Sequence, residues 1–197
     1  MAVPCVTLAD WLAYIESQHV RSIDLSLDRV GQVLQKLAVS SPAVVITVGG
    51  TNGKGSTCAM LDAILRAAGF RVGMYTSPHL HRYNERVRVA GEDVSDEALC
   101  EAFAAVDGEV PLTYFEFGTL AAWWIFCAQA LDVIVLEVGL GGRLDAVNLF
   151  DADCAIVTSV AMDHMDYLGD TREAIGFEKA GIFRAAKPAI CGDPHPP

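Results

Sequence analysis

Residues 44–57 read VVITVGGTNGKGST, and this stretch constrains the fold more than any other. Its run of β-branched residues favours an extended strand. The glycine pair ends that strand, and KGSTCAMLDAILRA then carries helical spacing. A strand that passes through a glycine loop into a helix is the first half of a crossover unit, whose next strand lies parallel to the first. The loop approaches the phosphate-binding pattern G-x-x-x-x-G-K-[ST] but misses it twice. Val48 stands where the first glycine belongs, and Gly55 where the hydroxyl belongs, with Ser56 one place later.

The rest of the chain keeps alternating. Helices are expected over 8–18 and about 27–37, the second with Ser26 as its cap, and then the strand 44–48. A helix over about 55–68 closes at Gly69, and 71–76 reads as the next strand. SPHLHRYNERVRVAGEDVS is loop-like, with a hairpin or edge strand at 86–89. Helices follow at 96–106 and about 114–130, short buried strands at 133–136 and 155–158, a helix from Thr171 and a strand at 189–191. The expected fold class is therefore α/β: a mostly parallel sheet with helices on both faces and its site at the carboxyl ends of the strands.

Composition narrows the function. With 52% hydrophobic and 20% charged residues, the 197-residue chain is expected to fold as one domain. The charge-free stretch 117–131, interrupted by Gly118 and Gln129, is too short to span a bilayer and reads as a buried helix. MAVPCVTLADWLAYIESQ has no basic start and is not read as a signal peptide. Cysteines 5, 58, 100, 127, 154 and 191 form no C-x-x-C pair, which favours reduced thiols over a disulfide framework or zinc. A net charge of −11 argues against nucleic acid as the main partner. A small anion needs only a few converging cations and backbone N–H groups.

The chemistry-bearing residues follow strands. Gly50, Thr51, Asn52, Gly53, Lys54, Gly55, Ser56 and Thr57 form a loop whose backbone N–H groups can face a phosphate, ahead of a helix N-terminus. Lys54 would meet the outer phosphates, and Ser56 or Thr57 could place a hydroxyl on Mg²⁺. Glu137 ends the strand 133–136, where hard oxygen ligands suit that ion. The glycines at 139, 141 and 142 allow close backbone approach, and Arg143 offers a cation to an anionic substrate or developing charge. Asp163, His164 and Asp166 cluster after the strand 155–158, and Glu178-Lys179 lies beyond them.

GTNGKGST, SPHLHRYNERVRVAG, LEVGLGGRLDAVN, MDHMDYLG and EKAGIF, in that order, resemble the dihydrofolate synthase/folylpolyglutamate synthases of the Mur ligase superfamily. Similarity extends to SIDLSLDRV and LTYFEFGTLAAWW, and so over essentially the whole chain. In that family the loop reads G-T-N-G-K-G-[ST], so both irregularities are the family's own variant. The resemblance implies a P-loop ATPase domain of Mur ligase type, of which residues 1–197 would be the N-terminal portion. A C-terminal Rossmann-like domain that helps bind ATP and glutamate would be absent from this chain, which ends at CGDPHPP and would be inactive alone.

The same resemblance implies roles by position. Lys54 and the loop glycines would bind ATP. Ser56, Ser77, Glu137, His164 and Lys179, the last as a carbamate, would surround magnesium. Ile23, Asp24, Leu25, Thr113 and Phe115 would contact the pterin of dihydropteroate, and Arg82 would lie in a loop over the substrate. The implied reaction adds L-glutamate to dihydropteroate, or to the glutamate tail of folates, through an acyl phosphate; Lys54, Arg143 and the metal would balance charge. The implied setting is a cytoplasmic monomer that engages small molecules and neither nucleic acid nor membrane. Alternatives are a Mur-type ligase for peptidoglycan precursors, a non-catalytic nucleotide-binding module, and a plain α/β scaffold with an accidental loop.

Overall fold

The computed structural model describes residues 6–19 and 23–197. The expected thiol at Cys5, most of the MAVPCV start and Ser22 of SIDLSLDRV lie outside the described residues. In chain order the elements are α1 (Leu8–Gln18), α2 (Asp28–Leu37), β1 (Val44–Gly49), α3 (Lys54–Ala67) and β2 (Val72–Tyr75). A 3₁₀ turn (Tyr83–Arg86) leads into β3 (Val87–Val89) and β4 (Glu92–Asp93), followed by α4 (Asp96–Val106), α5 (Tyr114–Cys127) and β5 (Val133–Glu137). A second 3₁₀ turn (Ala146–Leu149), β6 (Cys154–Val157), α6 (Met165–Leu168), α7 (Arg172–Ala180) and β7 (Ala189–Cys191) complete the chain.

The strands form one seven-stranded sheet in the order β4-β3-β2-β5-β1-β6-β7. β1 runs parallel to β5 on one side and to β6 on the other, while β3 and β4 join antiparallel at one edge. This is the mostly parallel α/β sheet that the alternation implied. The crevice that opens where neighbouring crossovers leave the carboxyl ends of central strands is the usual ligand position in such sheets.

Strand β5 shows how side-chain alternation serves two layers. Val133 and Val135 join Val48, Cys58, Val72 and Met74 beneath α3. Ile134 and Leu136 face the larger core built with α1, α4 and α5, where Ile15, Leu99, Phe103 and Phe126 are fully enclosed. Past Glu116 in its first turn α5 carries no charge, and ten of its residues are buried, Glu116 among them. Among the described residues, no helix is long and apolar enough to cross a membrane. No disulfide joins the described cysteines.

Three local expectations need correction. α2 starts at Asp28 behind Leu27, with no side-chain cap, because Ser26 stands one residue before the N-cap position and its hydroxyl accepts the Asp28 N–H. α5 stops at Cys127 rather than near 130; the chain turns at Ala128 so that Leu131 reaches the core and Val133 can enter the sheet. The stretch MDHMDYLG, expected as pure loop, contains the four-residue α6, which starts from His164 in the left-handed region (φ 48°).

Candidate active site

The phosphate-loop segment is tied to the chain that follows β6. Thr51 N–H donates to the Ser159 carbonyl (2.9 Å) and Asn52 N–H to the Ser159 hydroxyl (3.1 Å). The Thr158 hydroxyl donates to the Asn52 carbonyl (2.7 Å). Gly50 has φ 142° and presses against Thr158 so closely that a Cβ would overlap the hydroxyl, so glycine is required there. Gly53, with φ 84°, starts α3 without a side-chain cap and leaves the helix N-terminus open. Lys54 Nζ donates to its own loop, to the carbonyls of Gly50 (3.0 Å) and Thr51 (3.4 Å). Ser56 is exposed, whereas the Thr57 hydroxyl donates to the Gly53 carbonyl (2.8 Å).

Glu137 ends β5 directly beside this loop. A Cβ at Gly55 would lie 3.7 Å from its carboxylate, so the glycine that replaces the usual hydroxyl residue faces the acid. Glu137 is buried and accepts the Ser77 N–H at 3.0 Å. Burial pushes its carboxyl above the usual range, while the Ser77 N–H and the Lys54 charge act the other way. Such a carboxylate suits a hard cation better than solvent.

Lys179 is buried in α7, only 3% exposed, so it is no solvated helix residue. Burial first, and repulsion from Lys54 second, pull its ammonium down to about 8, against the attraction of Asp163. His164 is half exposed and lies 3.6 Å from Asp163. Among the described residues, no three His, Cys, Asp or Glu side chains gather at metal-binding spacing.

A cavity of about 810 Å³ opens beside this loop. Lys54, Ser77 and His164 line it together with Ile23, Asp24, Leu25, Thr113 and Phe115, so part of each predicted group shares one cleft, whereas Ser56, Glu137 and Lys179 are not among the lining residues. The side of the cleft formed by residues 23–25 and the start of α5 is held by ion pairs. Thr113 caps α5 and donates its N–H to Glu116 (2.7 Å), and Arg29 bridges Glu116 (2.9 Å) to Asp24 (3.1 Å). That guanidinium fastens the 23–25 segment to the start of α5.

Two predicted cations stand elsewhere. Arg143 makes a forked pair with Glu178 (2.8 Å for Nη2) over the Phe177 ring and is not among the residues that line the cavity. Arg82 is largely exposed, pairs with Asp96 (3.0 Å) and does not line it either. Asp145 and Arg86 are among the lining residues that were not singled out from the sequence. Asp145, within the quoted LGGRLDAVN, is buried; it accepts the N–H groups of Leu140 (2.8 Å) and Val147 (3.0 Å), and burial pushes its carboxyl up to about 7. Arg86 read as the start of an edge strand, but it ends the 3₁₀ turn and faces the cleft.

The chain is 57% identical over 194 residues to the dihydrofolate synthase/folylpolyglutamate synthase of Escherichia coli K12, an alignment that covers 96% of this chain and 46% of that protein. Among solved structures, E. coli FolC in complex with DHPP and ADP superposes with a TM-score of 0.96 at 55% identity, over 100% of this chain and 49% of that one. The bifunctional synthase of Yersinia pestis, complexed with AMPPNP and Mn ion, gives a TM-score of 0.93 at 52% identity over 100% of this chain and 49% of that one. The chain thus spans about half the length of the relatives it matches. Residues 48–192, from β1 through β7, match the Mur ligase middle domain, and the chain belongs to the Mur ligase middle-domain family.

Proposed function

We propose that residues 1–197 form the N-terminal portion of the ATP-binding domain of a carboxylate–amine ligase. This ligase adds L-glutamate to dihydropteroate, forming dihydrofolate, and to the glutamate tail of folates. The observation that carries the reading is the single cleft in which Lys54 and Ser77 meet the pocket of Ile23, Asp24, Leu25, Thr113 and Phe115. The relatives named for both folate reactions, and solved with ADP or AMPPNP, support the same substrates.

In this reading the loop N–H groups from Gly50 to Thr57 and the Lys54 ammonium hold the nucleotide phosphates, Lys54 leaving its own loop carbonyls to do so. Glu137, Ser56, Ser77, His164 and Lys179, the last as a carbamate, are the residues that would hold magnesium. Buried Glu137 is the best fitted of them, because its charge is only partly balanced by one N–H and Lys54. When bound, the metal neutralises phosphate charge. The acceptor carboxylate oxygen bonds to the γ-phosphorus as ADP leaves; the glutamate amine then bonds to the acyl carbon, phosphate leaves and the amine loses a proton. The chain's own part is to align acceptor and nucleotide in one cleft and to exclude water with the apolar walls. Arg143 meets developing charge only if it leaves Glu178, and Arg82 reaches substrate only if it leaves Asp96. In the same reading, a further domain outside this chain helps to bind ATP and glutamate. The protein works as a cytoplasmic monomer on small molecules, with no nucleic-acid or membrane partner.

The test is equilibrium binding to the 197-residue chain. ADP with Mg²⁺ and pteroate should both saturate, and Lys54→Ala should weaken ADP by at least about tenfold. Saturation by a UDP-muramoyl substrate in place of pteroate would overturn the folate assignment. Glutamate-dependent phosphate release by this chain alone would overturn the domain assignment.

A further inference from the structure

Arg86 ends the 3₁₀ turn before β3 and lines the cleft while only 9% exposed. Its guanidinium carbon lies 5.3 Å from the Tyr83 ring centroid and 5.5 Å from that of Tyr114. Its Nε donates to His79 Nδ1 at 2.8 Å. Burial, and then Arg86 itself, hold His79 below the usual imidazole range, consistent with a neutral ring that accepts this bond. Two aromatic faces and an imidazole thus fix the guanidinium in position, and none of them carries a negative charge.

A buried cation normally has a carboxylate partner, because an uncompensated charge out of water is costly. Among the described residues no acidic side chain pairs with Arg86. Three of the acids that share its cavity are engaged by other groups. Asp24 and Glu116 are both taken by Arg29, and Asp145 accepts backbone N–H groups. Glu16 lies exposed on α1. Glu85, the neighbour in sequence, spends its carboxylate on the N–H groups of Leu80, His81 and Arg82. The planar guanidinium is the group best suited to a carboxylate, which it can hold by two parallel bonds.

We propose that Arg86 is an anion subsite of the cleft that holds the acceptor's reacting carboxylate, the group that goes on to meet the γ-phosphate, while Phe115 and Thr113 contact the ring system. The assignment rests on the reading of this cleft as an acceptor pocket. It distinguishes Arg86 from Arg82 and Arg143, whose guanidinium groups already hold carboxylates of the chain.

The experiment compares pteroate with the same pterin–aniline lacking the carboxylate, each titrated into the 197-residue chain. The wild-type chain should bind pteroate at least about tenfold tighter than the decarboxylated analogue. Arg86→Met should bring the two within about twofold and leave the analogue's Kd unmoved. Wild-type chain with no preference, or Arg86→Met that keeps it, overturns the subsite. Should Arg86→Met fail to show a cooperative thermal transition, Arg86→Lys decides. A preference reduced by about threefold or more supports the forked contact, and an unchanged one overturns it. Failure of both compounds to bind the wild-type chain sinks the acceptor-pocket reading and the subsite with it. Binding of both with a preference independent of Arg86 sinks the subsite alone.

Discussion

The two ends of the cleft handle buried charge in opposite ways. At the acceptor end, Arg29 is shared between Asp24 and Glu116, and Glu116 also receives the Thr113 N–H. These three side chains balance one another through ion pairs held in place by folding. At the phosphate end, Glu137 and Lys179 are both buried, yet no ion pair joins them, and burial pushes each toward its neutral form. Lys54 meanwhile satisfies itself on carbonyls of its own loop. A pocket for a largely uncharged ring system can be completed by the chain alone. On the proposed reading, a site for a polyphosphate and a metal keeps charges that its ligands must balance, at a cost to the free protein.

The sharpest way to break this contrast is to remove one balancing charge. Arg29→Met leaves Glu116, with a side chain only 5% exposed, without its cation. Losing one partner of a largely buried pair costs about 3–4 kcal/mol, read as a fall in the urea midpoint at pH 7. The same variant should weaken pteroate binding, because the 23–25 segment loses its tie to α5. A loss below about 1 kcal/mol would show that the acceptor end is not held by this pair.

At the other end the sign reverses. Lys179 titrates near 8 in the folded chain, below its unfolded value, and burial is the main cause. Between about pH 8 and 10.5 the unfolded chain therefore binds more protons than the folded one, and stability rises with pH across that window. Below pH 8 the full penalty is present. Lys179→Met should remove it, giving a gain on the order of 2 kcal/mol at pH 7 in carbonate-free buffer and a flatter profile from pH 8 to 10.5. Equal destabilisation by Arg29→Met and Lys179→Met would erase the distinction between the two ends.

Much of this architecture was legible because local signals agreed with one another. The β-branched run 44–48, the glycines after it and the helical spacing beyond all called for strand, loop and helix, and β1 and α3 follow. The lining residues at 23–25, 113 and 115 were reached through the resemblance, since nothing in their spacing announces a pocket. Arg86, Asp145 and the burial of Lys179 were not legible, for a common reason. A buried polar residue is tolerated only through partners from distant elements, such as His79 and the tyrosine rings for Arg86. Those partners appear only when the chain has folded. The helix α6 was hidden in the same way, since four residues behind a left-handed His164 carry no periodic signal.

The smallest expected effect tests whether the phosphate loop owes its shape to backbone conformation or to packing. Gly50 and Gly53 both have positive φ, but their surroundings differ. A Cβ at Gly50 would collide with Thr158, whereas a Cβ at Gly53 would meet nothing within 4 Å. Gly53→Ala should therefore cost only the strain of a left-handed alanine, about 1 kcal/mol in urea unfolding. Gly50→Ala adds steric overlap to its strain and should cost more. A Gly53→Ala penalty as large as that of Gly50→Ala would mean that the open start of α3 is packed after all. The phosphate end would then be as fully built by folding as the acceptor end.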